Sequence, residues 1–250
     1  MGFVHAINPT LLQVGPLEIR FYGIVYALGF LLAFLFLKQA KKKGRLEISE
    51  DDIDNFVLYL ALGIIVGARL VHVFFWNPGF YLSDPLKILY VWQGGLAFHG
   101  GILGGMAVGY WFCKKRGIPI GRMADILVIP AAIALVLGRI ANFVNGELWG
   151  TVTNVSWCFK FPHAEGCRHP SQIYGAIART VVLGIVWAVS KKEYKDGYLF
   201  WMFFGLMGIS RFVVDFFREN ARVLGLSLGQ WLSLGMVVVT VWVYYKYYKE

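Results

Sequence analysis

Apolar residues fall into seven long runs along the chain, separated by shorter polar stretches. A helix needs about 20 mostly apolar residues to cross a bilayer, and each run approaches that length. The pattern therefore predicts an all-α integral membrane protein with seven transmembrane helices, in which residues 1–250 form a single membrane domain. The predicted spans are residues 21–37, 56–75, 94–113, 124–144, 172–189, 198–217 and 230–245.

Lysine and arginine residues concentrate in alternate loops between these runs. The loops after the first, third and fifth spans are rich in them, as is the segment after the seventh, whereas the intervening loops hold few. Because cytoplasmic loops carry an excess of Lys and Arg, the pattern predicts an N-terminus outside and a cytoplasmic C-terminus. The loop of residues 145–170 then lies outside, and its length predicts a small extracytoplasmic cap.

Composition agrees with a membrane protein and excludes other classes. Hydrophobic residues make up 58% of the chain and charged residues 16%, whereas a soluble protein carries about 25% charge. The formal net charge of +9 lies mainly in the basic loops, so nucleic-acid binding is not expected. No Cys and His spacing suggests a metal site. Cys158 and Cys167 lie in the predicted outer loop, where a disulfide and two unpaired thiols both remain open.

Ionisable side chains interrupt several predicted spans, although such groups are costly there and usually face an interior or a wet cavity. Arg69, Arg139, Arg211 and His99 all lie about five or six residues from an outer end, which is roughly 7–10 Å deep at 1.5 Å per residue. The shared level predicts one polar chamber near the outer leaflet. Guanidinium groups in that chamber favour an anion, and a lipid phosphate is the natural one.

The alternative is that some of these arginines extend to the membrane interface or pair with acids. Arg211 and Asp215 are four residues apart and could neutralise each other. Arg179, in the fifth span, is expected to extend or pair rather than to bind a substrate.

Two segments concentrate the candidate chemistry. The segment GGLAFHGGILGG, residues 94–105, places His99 among glycines that permit close helix packing. An imidazole pKa near 6.5 suits proton transfer at neutral pH, although an interhelical hydrogen bond is the alternative. The segment GRIANFVNGELWG, residues 138–150, aligns Arg139 and Asn142 on one helix face and continues with Asn145 and Glu147. These groups could orient a headgroup, although Asn145 could equally terminate the helix.

From the residues alone, three functions stay open. The first is an enzyme acting on a lipid, and the second is a transporter or channel for an anion, with the arginines as its binding site. The third is a non-catalytic lipid-binding or assembly protein. A transporter requires a path to the cytoplasm, but the inner halves of the spans hold almost no ionisable groups. An assembly protein leaves His99 without a task.

Residues 138–150 resemble the signature of the bacterial prolipoprotein diacylglyceryl transferase family. Other segments similar to that family are FYGIVY at 21–26, FHGG at 98–101, RHPSQIY at 168–174, RFVVDFFR at 211–218 and SLGQ at 227–230. The resemblance thus covers nearly the whole chain and implies seven spans with the N-terminus outside. The chain departs from the family pattern at Gly175 and Asp215, where Glu is more usual.

The resemblance implies that the diacylglyceryl group of phosphatidylglycerol is transferred to the lipobox cysteine of a prolipoprotein, with release of glycerol phosphate. This is the first step of bacterial lipoprotein maturation. It implies an active site near the outer leaflet of the bacterial inner membrane, with membrane lipids as further partners and no metal or organic cofactor. The expected catalytic residues are His99, as base for the thiol, and Arg139 and Arg211, as phosphate ligands. The expected substrate-binding residues are Tyr22, Arg69, Asn142, Asn145, Glu147, Gly150, Ser171, Gln172, Tyr174, Asp215 and Arg218.

Overall fold

Helices dominate the structure, a computed structural model that describes residues 2–14 and 17–249. Within these residues, three pairs of short strands accompany eight α-helices. The helices are α1 (Phe21–Lys42), α2 (Glu50–Phe75), α3 (Pro78–Ser83), α4 (Phe98–Arg116), α5 (Ile120–Val144), α6 (Ser171–Val189), α7 (Tyr198–Val214) and α8 (Leu228–Val243). The strand pairs are β1 (Phe3–Val4) with β4 (Phe159–Lys160), β2 (Thr10–Val14) with β3 (Leu17–Arg20), and β5 (Arg222–Val223) with β6 (Leu226–Ser227).

Six helices of the described chain are long and apolar enough to cross a membrane: α1, α2, α5, α6, and α7 and α8 together with the short helical turns that follow them. Each coincides with a predicted span, and large apolar side chains remain exposed along them. Since such surfaces are stable in contact with lipid rather than water, the protein is an integral membrane protein.

The third predicted span forms α4, but its boundary differs from the prediction. The helix begins at Phe98 rather than at residue 94, because Gly94 and Gly95 have positive φ angles of 90° and 75° that interrupt helical geometry. The helix is also rich in glycine, and it is not one of the six helices that are long and apolar enough to cross a membrane.

The chain is divided into two compact units, and each is described by itself. One unit is Ala33–Met123, and the other combines the residues up to Leu32 with those from Ala124 onward. In the first unit, α2 and α4 run antiparallel along the whole length of α4. The pairs in contact are Asp52 with Arg116, Phe56 with Phe112, Gly63 with Gly104, and Gly67 with Gly100.

The glycines of α4 allow this close approach, as the sequence predicted. A Cβ atom added at Gly104 would overlap the Gly63 carbonyl group and lie 3.1 Å from the Gly67 Cα atom. A Cβ atom added at Gly100 would overlap the Gly67 carbonyl oxygen in the same way. The two backbones therefore touch directly, as in membrane helix pairs with small residues four apart.

In the second unit, α6 packs against α7 and α7 against α8. The carboxylate of Asp125 accepts hydrogen bonds of 2.7 Å from the backbone N–H groups of Gly197 and Phe200 and so caps the start of α7. Ser227 and Gln230 form a capping box that starts α8. These caps fix the ends of helices that carry candidate site residues.

The loop of residues 145–170 packs with the beginning of the chain. Cys158 and Cys167 form a disulfide, which resolves the two alternatives left open by the sequence. Strand β1 pairs in parallel with β4. The buried His5 ring contacts Phe143, and its Nε2 atom lies 2.7 Å from the Phe143 carbonyl oxygen. The N-terminal segment is thereby held beside the end of α5.

Candidate functional site

The signature segment reverses direction where α5 ends. Gly146 takes a positive φ of 65° and Leu148 one of 56°, and the Glu147 N–H donates to the Asn142 carbonyl at 3.1 Å. Asn145 and Gly146 thus do terminate the helix, as one interpretation of the sequence held. The consequence is that the Glu147 side chain returns to the face of α5 that carries Asn142.

A polar network forms on that face. The Glu147 Oε1 atom accepts hydrogen bonds from Asn142 Nδ2 at 2.8 Å and from Asn145 Nδ2 at 3.3 Å. Asn142 Nδ2 also donates to the hydroxyl oxygen of Tyr22, the second residue of α1. Four predicted substrate-binding residues are therefore brought together, and their polar atoms are positioned by one another.

Ser171 and Gln172 support the reversed turn from the start of α6. Ser171 Oγ donates to the Leu148 carbonyl at 2.9 Å, and Gln172 Nε2 donates to the Glu147 carbonyl at 2.6 Å. Both side chains are buried. They were predicted to bind substrate, but the structure engages them with the backbone of the turn, where they position Glu147.

Gly150 and Tyr174 also have structural partners. The Gly150 N–H donates to the His169 carbonyl at 2.9 Å, and an added Cβ atom would lie 2.8 Å from the His169 Cβ atom. The Tyr174 hydroxyl accepts from Trp157 Nε1 at 2.7 Å, lies 3.0 Å from His169 Nδ1, and its ring packs on Phe217. Burial lowers the pKa of His169 below its usual 6.5, so the neutral imidazole is favoured in this cluster.

Four arginines come together in this unit and are referred to below as the arginine cluster: Arg139 on α5, Arg179 on α6, Arg211 on α7 and Arg218 just after α7. Each lies close enough to the others for their charges to interact. No described residue forms a hydrogen bond or ion pair with the guanidinium of Arg139 or Arg211. A group of cations with so few partners is suited to bind an anion.

Asp215 lies beside the cluster, but its own partners are elsewhere. Its carboxylate accepts hydrogen bonds from Ser227 Oγ and, at 3.0 Å, from Asn220 Nδ2, and it lies 3.6 Å from Arg218 Nη1. The predicted alternative, in which Asp215 neutralises Arg211, is not what the structure forms. Burial lowers the pKa of Arg218, the Asp215 carboxylate opposes that shift, and the charge of Arg211 adds to it. Asp215 is thus a positioning group for Arg218.

Arg179 does not fit its prediction either. It neither extends to an interface nor pairs with an acid: it is 6% exposed, and the charges that act on it are the three other arginines of the cluster. Arg179 was not among the predicted site residues, although its spacing of four residues from Gly175 places both on one face of α6.

Arg69, in the other unit, organises a loop. All five of its N–H groups have backbone carbonyl acceptors at 2.5–3.4 Å, and Tyr81 lies under its guanidinium. The acceptors belong to Lys87, Ile88, Tyr90, Gly94 and Gly95. Since no donor remains for a phosphate, the structure gives Arg69 a loop-positioning role in place of the predicted substrate-binding role.

His99 is the second residue of α4 and is exposed. Its backbone is fixed on both sides, because the Ala97 N–H donates to the Ala68 carbonyl at 3.0 Å and Gly100 packs on Gly67. None of the described residues hydrogen-bonds its imidazole, so the interhelical hydrogen bond considered above is not formed. Its ring nitrogens are available to a substrate. The described part of the chain holds no group of three His, Cys, Asp or Glu side chains able to bind a metal ion.

Comparison with known proteins gives one consistent result. Residues 9–246 match the family described as prolipoprotein diacylglyceryl transferase. The phosphatidylglycerol–prolipoprotein diacylglyceryl transferase of Geobacter sulfurreducens is 42% identical over 246 residues, covering 96% of this chain and 94% of that protein. Proteins of the same name from Brucella anthropi and Bordetella parapertussis are 39% and 37% identical, covering 93% and 95% of this chain and 86% and 94% of the respective proteins.

Proposed function

The chain belongs to the prolipoprotein diacylglyceryl transferase family, and from this premise we propose how its residues transfer a diacylglyceryl group from phosphatidylglycerol to a prolipoprotein cysteine. The protein is a diacylglyceryl transferase and acts in the first step of lipoprotein lipidation. Family membership also decides among the three functions that the residues alone left open, in favour of the enzyme.

The donor phosphate binds at the arginine cluster. The observation that supports this assignment is the absence, among the described residues, of any hydrogen-bonding or ion-pairing partner for Arg139 and Arg211. The like charges of Arg139 and Arg211 act on each other and repel, so a phosphate that accepts hydrogen bonds from these guanidinium groups relieves the repulsion. Arg218, held by Asp215 at 3.6 Å, adds a third cation to the same anion.

The headgroup glycerol binds at the network of Tyr22, Asn142, Asn145 and Glu147. Glu147 accepts hydrogen bonds through one carboxylate oxygen, Oε1, so its other oxygen is a candidate acceptor for a glycerol hydroxyl. The Tyr22 hydroxyl receives a hydrogen bond from Asn142 and can donate its own proton to a phosphate oxygen. This network distinguishes a glycerol headgroup from one without hydroxyls.

The reaction is a substitution at carbon. The acceptor thiol loses its proton, because the thiolate is the nucleophile and a free cysteine has a pKa of about 8.5; His99 takes that proton. In the glycerol unit that carries the two acyl chains, the thiolate attacks the third carbon, which is bonded to the phosphate oxygen; a C–S bond forms there, and the C–O bond from that carbon to phosphate breaks. Glycerol phosphate leaves with the electron pair, and the arginines stabilise the charge that it gains.

The chain crosses the bacterial inner membrane seven times, with its N-terminus outside. In addition to the six apolar helices, α4 crosses the membrane and brings the number of spans to seven. It lies against α2 over its whole length, from the Ala97 contact with Ala68 to the Arg116 ion pair with Asp52. With α4 as a span, the basic ends of α1 and α4 lie on the same, cytoplasmic side. Residues 145–170 then form an outer cap, and the arginine cluster lies near the outer leaflet, where the prolipoprotein arrives.

Purified protein, phosphatidylglycerol and a lipobox peptide test the proposal directly. We expect a thioether-linked peptide by mass spectrometry and stoichiometric glycerol phosphate. Arg139→Gln should lower the rate on the order of 10²–10³-fold, as expected for loss of one preorganised charge donor. Arg222→Gln is the matched control, since it removes the same charge from the exposed strand β5. A folded Arg139→Gln protein with the wild-type rate would remove the phosphate role.

His99 is tested separately, because its role is proton transfer rather than charge stabilisation. His99→Ala and His99→Gln should both lose activity, and a peptide thiol of lower pKa should partly restore it. Full activity of His99→Gln would mean that the imidazole only hydrogen-bonds.

A further inference from the structure

Arg179 has an unusual environment for a charged side chain within a membrane helix. It is 6% exposed, and its Nη1 atom donates to the Gly175 carbonyl of its own helix at 3.0 Å. Its Nε atom is buried and has no hydrogen-bond partner in the described structure. A buried guanidinium normally has its donors satisfied by acceptors or by an opposite charge, so the Nε donor of Arg179 is an exception that requires an explanation.

Gly175 provides the space in which this guanidinium lies. A Cβ atom added at position 175 would lie 2.9 Å from Arg179 Nη1 and 3.2 Å from the Cδ atom of Arg139. The absence of a side chain at position 175 therefore lets the Arg179 guanidinium and the Arg139 side chain pack over the same point of α6. Where Glu, the residue more usual in the family, would place a carboxylate, this chain has room for a second cation.

The charges that act on Arg179 have the same sign as its own. They belong to Arg139, Arg211 and Arg218, and no carboxylate contributes. Such an arrangement opposes folding of the empty protein and is stabilised when an anion binds. We propose that Arg179 is a fourth phosphate ligand of the arginine cluster, admitted by Gly175, and that it acts on the second negative charge that develops as glycerol phosphate leaves.

This inference rests on the proposed function, and the chemistry of the leaving group explains the need for a further cation. The phosphodiester of phosphatidylglycerol carries one negative charge. When the C–O bond breaks, its electron pair stays on the phosphate, which becomes a monoester with a second pKa near 6 and two charges at neutral pH. A cation beside the phosphate stabilises the departing dianion more than the bound diester, so its effect falls on the chemical step.

Kinetic measurements distinguish an effect of Arg179 on the bound phosphodiester, which is a monoanion, from an effect on the departing phosphate monoester, which is a dianion. Arg179→Gln should lower kcat on the order of 10²-fold and change the KM for phosphatidylglycerol less. It should weaken inhibition by glycerol phosphate about tenfold or more, and inhibition by glycerophosphoglycerol, a monoanionic diester, by a smaller factor. Arg179→Lys should retain part of both effects, because the charge remains while the planar fork is lost. The exposed Arg222→Gln control should leave all four quantities unchanged.

Thermal unfolding provides a readout that does not depend on turnover. Without ligand, Arg179→Met and Arg179→Gln should unfold at the wild-type temperature or above it, because like charges are relieved. Glycerol phosphate should raise the unfolding temperature of wild type and have less effect on both variants. Variants that fail to fold, or that unfold well below wild type without ligand, would make Arg179 a structural residue and overturn the proposal, as would an unchanged kcat with unchanged inhibition by glycerol phosphate.

Gly175 supplies a second set of variants. Gly175→Glu places a carboxylate beside Arg179 and should reduce kcat as Arg179→Gln does, with no further loss when the two are combined. Gly175→Ala occupies space without charge and should have the smaller effect. Additive losses in the double variant would contradict a shared role. If wild type forms no thioether product but still gains thermal stability from glycerol phosphate through Arg179, the proposed function fails while the anion site stands.

Discussion

Gly104→Ala tests the close contact between α2 and α4. An added Cβ atom would overlap the Gly63 carbonyl oxygen and lie 2.8 Å from its carbon and 3.1 Å from the Gly67 Cα atom. These are backbone atoms, which cannot rotate away as a side chain could. The helices must therefore separate by about 1 Å, a gap that forfeits a quarter to a half of each atomic contact across it.

The expected loss in the free energy of unfolding is the packing cost of the added methyl group minus the gain in helix propensity. Inserting a methyl group into a packed interface costs about 1–3 kcal/mol, and contact with backbone on both sides places this site at the upper end. Replacing glycine by alanine within a helix returns about 1 kcal/mol. The net loss is then about 2 kcal/mol, which lowers the Tm of a chain of this size by about 4–8 °C.

Gly109→Ala is the matched control, because it makes the same change on the same helix at a position with nothing within 4 Å. It should gain the stability that alanine gives a helix over glycine, without the cost of a packing overlap, and so raise the Tm by about 2–4 °C. Thermal unfolding of both variants in one detergent measures the difference. A Tm that shifts in the same direction in both variants would refute the direct backbone contact.

Three further predictions concern the other unit. Glu147→Ala removes the carboxylate oxygen to which two asparagine amides donate and should lower the transfer rate on the order of 10-fold or more, measured as thioether formation at fixed phosphatidylglycerol. Reduction of Cys158–Cys167 should lower the stability by about 2–3 kcal/mol, the chain-entropy value for a loop of this length, whereas the Tm of the double Ser variant should not respond to reductant. Because burial lowers the pKa of His169, protonation favours the unfolded state, so stability is full above pH 6.5 and declines below it; His169→Gln should flatten that part of the Tm–pH curve.

The helices could be predicted from the sequence because each depends on a local pattern. An apolar run of about 20 residues stays helical in lipid whatever its neighbours are, since its backbone must satisfy its own hydrogen bonds. The observed bounds of α2, α5 and α6 agree with the predicted ends within a few residues at one or both termini. The start of α4 was wrong because it depends on two glycine φ angles rather than on hydropathy.

The roles of individual arginines could not be predicted in the same way. In the sequence, Arg69 and Arg179 are both single cations in apolar helices. In the structure, the five donors of Arg69 are satisfied by a loop about 20 residues further along the chain. Arg179 lacks such a loop and lies among other arginines. Similarly, spacing alone suggested an Arg211–Asp215 pair, whereas the contact of Asp215 with Ser227 depends on how the chain returns into α8. Only long-range contacts distinguish these cases.

The pairing of β1 with β4 has a consequence for the order in which the chain folds during its synthesis. The first strand is translated before its partners: the Phe143 carbonyl that contacts His5 comes 138 residues later, and β4 later still. At about 5–20 residues per second, this delay is about 7–30 s. Throughout that interval the nascent N-terminal segment has no partner strand, so a ribosome stalled before β4 emerges should leave it open to protease, and release of the stall should close it.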